Sequence, residues 1–210
     1  MIDTRTSAFI VVDVQNDFCP GGALAVPDGD AVVPIINRLA ARFQTCILTQ
    51  DWHPSGQVSF ASSHPGAEPY DAALVNGRDA TLWPDHCVQG STGAWFHPDL
   101  DQNPYRLVVR KGFRPDLDSY SAFFENDATT PTGLDGYLRG LGLDTVYIAG
   151  LALDYCVYYS ALDAARLGYR VLIIRDATRA VGSPAGLAER ALAELRLHGV
   201  SIIESMEVFR

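Results

Sequence analysis

The chain has 210 residues, 48% of them apolar and 20% charged, and a formal net charge of −9. Such a chain can bury a core without disulfides or a structural metal, and its composition excludes collagen, coiled coil and wholesale disorder. The acidic balance and the lack of a basic stripe argue against nucleic acid and anionic membrane surfaces as partners, leaving small neutral or cationic ligands.

In chain order, residues 8–14 form an apolar, largely β-branched run, the pattern of a strand buried on both faces. A Gly/Pro-rich loop around Cys19-Pro20-Gly21-Gly22 leads into a helical pattern over 30–43, and 45–50 reads as a second strand. Residues 51–104 hold half of the prolines, all of the tryptophans and most of the histidines and show little periodicity; so long a loop inside a domain is usually functional. Strands at 106–110, 145–149, 170–174 and 200–204 then alternate with helices at 133–141, 154–167 and 184–197. Gly142, Gly168 and Gly199 stand where each helix should stop. The expectation is one α/β domain over 1–210, a three-layer α/β/α arrangement with a mostly parallel sheet and a metal-binding, loop-rich insertion at about 51–104.

The N-terminus lacks a signal-peptide pattern, because Asp13 interrupts the apolar run from Phe9 to Val12. The apolar stretch from Val146 to Leu153 is far too short to span a bilayer. Cys19, Cys46, Cys87 and Cys156 show no C-x-x-C spacing, so a reduced, cytoplasmic protein with free thiols is expected.

In parallel sheets ligands bind beyond the carboxyl ends of the strands. Asp13, Asp51 with His53, Lys111 and the segment after Gly150 all fall at that edge. Lys111 is the sole lysine among 16 basic residues, and ammonium, unlike guanidinium, is a compact charge tuned by its surroundings. Cys156 should sit in the first turn of a helix, where the dipole favours thiolate and backbone N–H groups can cradle an oxyanion. Asp13, Lys111 and Cys156 would then converge as base, cation and nucleophile, against the plainer reading of an Asp–Lys ion pair and a buried cysteine. Asp51 and His53, two apart after a strand, suit zinc, manganese or iron. His86 is the best third ligand among His64, His86, His97 and His198, and three protein ligands suit an open, catalytic metal site.

Six motifs follow one another: Asp13-Val14-Gln15-Asn16-Asp17-Phe18, Asp51-Trp52-His53-Pro54, Trp83-Pro84-Asp85-His86-Cys87-Val88, Lys111-Gly112, Asp118-Ser119-Tyr120-Ser121-Ala122-Phe123 and Asp154-Tyr155-Cys156-Val157. Each is modest alone; together, from Asp13 to about Asp176, the chain resembles the nicotinamidase branch of the isochorismatase-like cysteine hydrolase family. The resemblance implies a catalytic triad of Asp13, Lys111 and Cys156 and metal ligands Asp51, His53 and His86, with Ser59 holding a metal-bound water. It implies one divalent metal, zinc foremost with manganese or iron as alternatives. Phe18, Trp83 and Tyr120 would line the substrate's ring pocket, and a cis peptide at Leu151–Ala152 would aim the N–H groups of Ala152 and Cys156 at an oxyanion. The implied reaction is hydrolysis of nicotinamide, and of pyrazinamide, through a cysteine thioester, a step of NAD salvage; a homo-oligomer is also admitted. Leu153 departs from the small polar residue usual in that loop and puts its local hydrogen bonding in doubt. Metal-independent isochorismate and carbamoyl hydrolases share the triad framework, and an inactive interaction module is a further alternative. The Asp51, His53, His86 set separates this chain from the metal-independent group.

Overall fold

Every residue of Ser7–Val12 (β1) is buried, as an apolar run without polar alternation requires of a central strand. It lies between Thr45–Asp51 (β2) and Thr145–Leu151 (β6), both parallel to it and both buried throughout. Tyr105–Lys111 (β5), Arg170–Arg179 (β7) and Ser201–Ile203 (β8) complete a six-stranded sheet in the order β5-β2-β1-β6-β7-β8. All its pairings are parallel. The structure is a computed structural model and describes residue 3 and residues 5–209.

Alternate residues of β1 serve opposite layers. Phe9 and Val11 pack with Ile36 and Leu39 of Val33–Ala40 (α1) and with Val208 of Ser205–Val208 (α5). Ala8, Ile10 and Val12 pack with Leu134–Gly140 (α2), Tyr158–Arg166 (α3) and Leu187–Leu197 (α4). This is the expected three-layer α/β/α fold in a single domain. Gly142, Gly168 and Gly199 follow α2, α3 and α4 with φ of 69°, 88° and 80°, the left-handed conformation that ends a helix most cheaply at glycine. From β1 the chain steps outward to β2 and β5, then crosses to β6 on the other side of β1. The crevice beyond β1 and β6 is therefore the switch point at which ligands bind in such sheets.

Several local expectations differ. Residues 51–104 contain an antiparallel hairpin, Ala72–Val75 (β3) with Arg78–Thr81 (β4). Its signal was Asn76-Gly77, whose φ values of 51° and 76° match the mirror-image turn that joins two-residue hairpins. The short, half-exposed strands beside it carry no clean alternation. The 154–167 helix opens with a π-turn over Leu153–Val157 before α3. Strand β7 runs past residue 174 to Arg179 after a register break beside Ile148, and α4 starts at Leu187, after a turn at 184–186. Among the described residues, no helix is long and apolar enough to cross a membrane.

Candidate active site

Four strands deliver the expected residues to one edge. Asp13 follows β1, Asp51 and Lys111 end β2 and β5 in register with each other, and Cys156 follows β6 within the π-turn. Asp13 turns the chain with φ of 49°; its N–H donates to Thr49 Oγ1 at 3.2 Å, and the Thr49 hydroxyl donates to Asp13 Oδ1 at 2.5 Å. The other oxygen, Oδ2, faces the Lys111 ammonium at 2.8 Å. Lys111 also bonds Asp51 Oδ1, donates to the Ser119 carbonyl at 3.0 Å, and reaches Cys156 Sγ at 3.4 Å. Asp13 and Lys111 are 0% exposed and Cys156 is 6% exposed, so these charges act without bulk water between them.

Burial pushes the Asp13 carboxyl up to about 6, although the Lys111 ammonium pulls the other way. Burial alone would lower Lys111, but the Asp13 and Asp51 carboxylates outweigh it and hold the ammonium well above its ordinary value. Burial pushes the Cys156 thiol well above its ordinary value, with Lys111 only partly offsetting it. Against the expectation of a favoured thiolate, desolvation of the sulfur outweighs the pull of the ammonium. A protonated thiol beside a carboxylate of raised proton affinity is a donor–acceptor pair poised for transfer during attack.

Asp51, His53 and His86 place one ligand atom each within 4.8 Å of one another. His53 Nδ1 lies 2.9 Å from the Gly112 carbonyl and His86 Nδ1 lies 2.8 Å from the Pro84 carbonyl. When Nδ1–H donates to a carbonyl, the neutral ring presents its Nε2 lone pair, and both Nε2 atoms face Asp51 Oδ2, at 3.5 and 3.9 Å. Burial opposes a proton on His53, but Asp118 and Asp51 raise it to about 9; burial and the His53 charge lower His86 to about 4. The cluster's two nitrogens and one carboxylate oxygen fit a divalent transition metal. Ser59 Oγ is buried and has no hydrogen-bond partner among the described residues, as a group reserved for a metal-shell water would be. Among the other candidate histidines, the His64 ring pairs with the Val58 carbonyl and His97 with the Asp99 N–H.

The ligand set and the cysteine share one small cavity of about 30 Å³, lined also by Phe18, Trp83, Tyr120 and Ala152. Trp83 Nε1–H donates to the Tyr120 hydroxyl at 3.0 Å, fixing two of those aromatic walls to each other. The Leu151–Ala152 peptide is cis. Asp13 and Lys111 stand behind Cys156 and do not line the cavity.

Sequence reasoning overlooked the residues that aim these groups. Thr49 orients Asp13, and its signal was a hydroxyl in a strand otherwise committed to the core, two residues before Asp51. The Gln15 amide donates to the Asp51 and Ala94 carbonyls at 2.8 and 2.9 Å, and its oxygen accepts the Asp51 N–H at 2.8 Å, so it fixes the backbone of a ligand. Leu24 and Val181 also line the cavity and carried no sequence signal; Tyr155 lines it too, from a motif that gave it no role of its own.

Residues 7–207 match the isochorismatase domain family. The chain is 46% identical over 208 residues to a nicotinamidase of Acinetobacter baylyi, covering 99% of this chain and 97% of the relative. A solved nicotinamidase/pyrazinamidase of Acinetobacter baumannii superposes with a TM-score of 0.96 at 47% identity, covering 99% of this chain and 100% of that one. A pyrazinamidase of Pyrococcus horikoshii in complex with zinc superposes with a TM-score of 0.77 at 37% identity, covering 95% and 99%. The chain belongs to the isochorismatase family.

Proposed function

We propose that the chain hydrolyses nicotinamide to nicotinate and ammonia, with Cys156 as nucleophile, Asp13 as base and Lys111 as the fixed cation. The observation that carries the reading is the opening of Cys156 and the Asp51, His53, His86 set into one aromatic-walled cavity, with Asp13 and Lys111 behind the sulfur. The relatives' nicotinamidase names support the substrate. Pyrazinamide, which keeps a nitrogen at the same ring position, belongs to the same proposal, and ammonia release into nicotinate places the reaction in NAD salvage.

In this mechanism Phe18, Trp83 and Tyr120 enclose the ring and set the carboxamide against Sγ, converting binding energy into orientation. As sulfur attacks the carboxamide carbon, Asp13 takes the thiol proton, and N–H groups of Ala152 and Cys156 receive the oxyanion. Collapse breaks the C–N bond, and Asp13 gives its proton to the departing nitrogen, which leaves as ammonia. Water then attacks the thioester, yielding one proton to Asp13. The sulfur leaves and recovers that proton, and the product departs as nicotinic acid, which gives up its remaining proton to solvent to become nicotinate. Lys111 stays protonated throughout and opposes the negative charge that moves between Asp13 and Cys156.

Asp51, His53 and His86 would hold a divalent metal that supplies a Lewis-acid anchor for the ring nitrogen. Zinc suits two imidazoles and a carboxylate, and the zinc-bound Pyrococcus relative supports it over manganese and iron. Four unpaired cysteines support a reducing, cytoplasmic setting. The test is ammonia release from nicotinamide and a panel of other amides, before and after dialysis against chelator. Hydrolysis of carbamoyl compounds instead, unaffected by chelator, would transfer the chain to the metal-independent hydrolases.

A further inference from the structure

The cavity shared by Cys156 and the ligand set is small, about 30 Å³, so a slight displacement of one wall changes which rings fit. The other lining residues come from the ends of β2 and β6 with the turn after it, and from the loops at 18–24, 83–86 and 118–120. Val181 is different. It follows β7 in a segment, 180–183, whose residues Gly182 and Ser183 are exposed, so this wall is one chain thick with solvent behind it.

Two contacts hold that strap. Asp154 is 2% exposed, and its two carboxylate oxygens accept the N–H groups of Val181 at 3.0 Å and Gly182 at 2.9 Å. The Tyr155 hydroxyl donates to the Ser183 carbonyl at 2.9 Å. Both anchors lie in the π-turn that carries Cys156, and the pairing of Leu151 with Arg179 sets the strap directly beside that turn. The reaction described above uses neither Asp154 nor Val181.

We propose that Asp154 is a positioning residue: by clamping the 180–183 strap to the nucleophile turn it fixes Val181 as a wall of the ring pocket, and so sets the largest ring the enzyme accepts. A carboxylate suits this task because it offers two acceptors and no donor, matching two adjacent N–H groups. The wall belongs to the same turn as the nucleophile, so pocket size and sulfur position are adjusted together. The inference rests on the amidase reading, and wild-type hydrolysis of nicotinamide tests that reading separately.

The experiment compares kcat and KM for nicotinamide and for ring-methylated nicotinamides in the wild type, Asp154→Asn and Val181→Ala. Asparagine keeps the shape but turns an N–H2 donor toward one of the two N–H groups. A hydrophobic pocket discriminates one methyl(ene) by about 10–200-fold, so we expect Asp154→Asn to reduce that preference at least fivefold while raising KM for nicotinamide about tenfold. Val181→Ala should shift the preference the same way with every clamp hydrogen bond intact. A purely structural role for Asp154 would lower the active fraction, which scales both substrates equally and leaves their ratio unchanged. An unchanged ratio in folded Asp154→Asn overturns the proposal. If that variant does not fold, an unchanged ratio in Val181→Ala overturns it, and a reduced ratio supports it.

Discussion

The Lys111 ammonium donates to Cys156 Sγ at 3.4 Å, and both groups are buried. Cys156 is thereby set apart from the other cysteines. Among the described residues, the Cys46 thiol donates instead to the Ala40 carbonyl and the Cys87 thiol to the Gly93 carbonyl, and Cys19, Cys46 and Cys87 have no contact with the ammonium. Acid-quenched turnover of nicotinamide should therefore leave a nicotinoyl adduct on Cys156 and on no other cysteine, by mass spectrometry of peptides. Cys156→Ala should lose at least about 1000-fold in kcat while keeping its fold, because only the covalent step disappears. An adduct on another cysteine, or substantial turnover by the alanine variant, would remove Cys156 from the nucleophile role.

The ring anchor gives a second prediction. His86 is one of three ligand residues, and its orientation depends on a single carbonyl contact at Pro84. Removing partners that merely orient a ligand typically costs about 10–100-fold in metal affinity, so His86→Ala should cost at least as much. Metal content by atomic absorption should fall, and affinity for nicotinamide with it. Benzamide, which lacks the ring nitrogen, should be a poor substrate of the native enzyme. Equal hydrolysis of benzamide and nicotinamide would show that the ring nitrogen anchors nothing.

Gly112 offers a test from the backbone side. Its φ is 62°, and a Cβ there would lie 2.5 Å from His53 Cε1 and 2.7 Å from His53 Nδ1, both on a ring that cannot move away from its buried slot. The left-handed conformation costs a non-glycine residue roughly 1–3 kcal/mol, and displacement of His53 adds to it. Gly112→Ala should lose bound metal and melt several degrees lower, at about 2–4 °C per kcal/mol for a domain of this size. Full metal retention would mean that His53 is not held by this contact.

The strands, their parallel order and the edge that carries the chemistry were legible because buried β-branched runs and helix-stop glycines have strong local causes. Asp13, Asp51, Lys111 and Cys156 were legible for the same reason, as polar residues where such strands end. Thr49 and Gln15 were not, because their roles depend on register: only the pairing of Val11 with Leu48 brings Thr49 beside Asp13. The thiol of Cys156 was misjudged because helix position is visible in sequence and desolvation is not. Asp154 was quoted within a motif, yet its partners lie 27 and 28 residues away on another loop, beyond any local pattern.

The last prediction concerns the sole lysine. Lys111 occupies a slot with 0% exposure, bonded at once to Asp13, Asp51, the Ser119 carbonyl and Cys156. If it were only a counter-ion, Lys111→Arg would keep the charge and most of the activity. Guanidinium is planar and broader than the ammonium that this buried slot encloses. It would displace Asp13 from Cys156 or bind Asp13 through two nitrogens, and a carboxylate held in such a fork takes up a proton less readily. We therefore expect kcat/KM to fall at least ~100-fold, equivalent to about 2.7 kcal/mol of transition-state stabilisation. Overpacking a filled site also costs about 1–3 kcal/mol, so the melting temperature should drop by roughly 2–10 °C. The two effects separate when kinetics are measured well below the variant's melting temperature, where nearly all of the protein is folded. Near-native kcat/KM under those conditions would reduce Lys111 to a structural ion pair. A deep loss of rate in a folded variant would show that the compact ammonium, and not positive charge alone, is what Asp13 and Cys156 require.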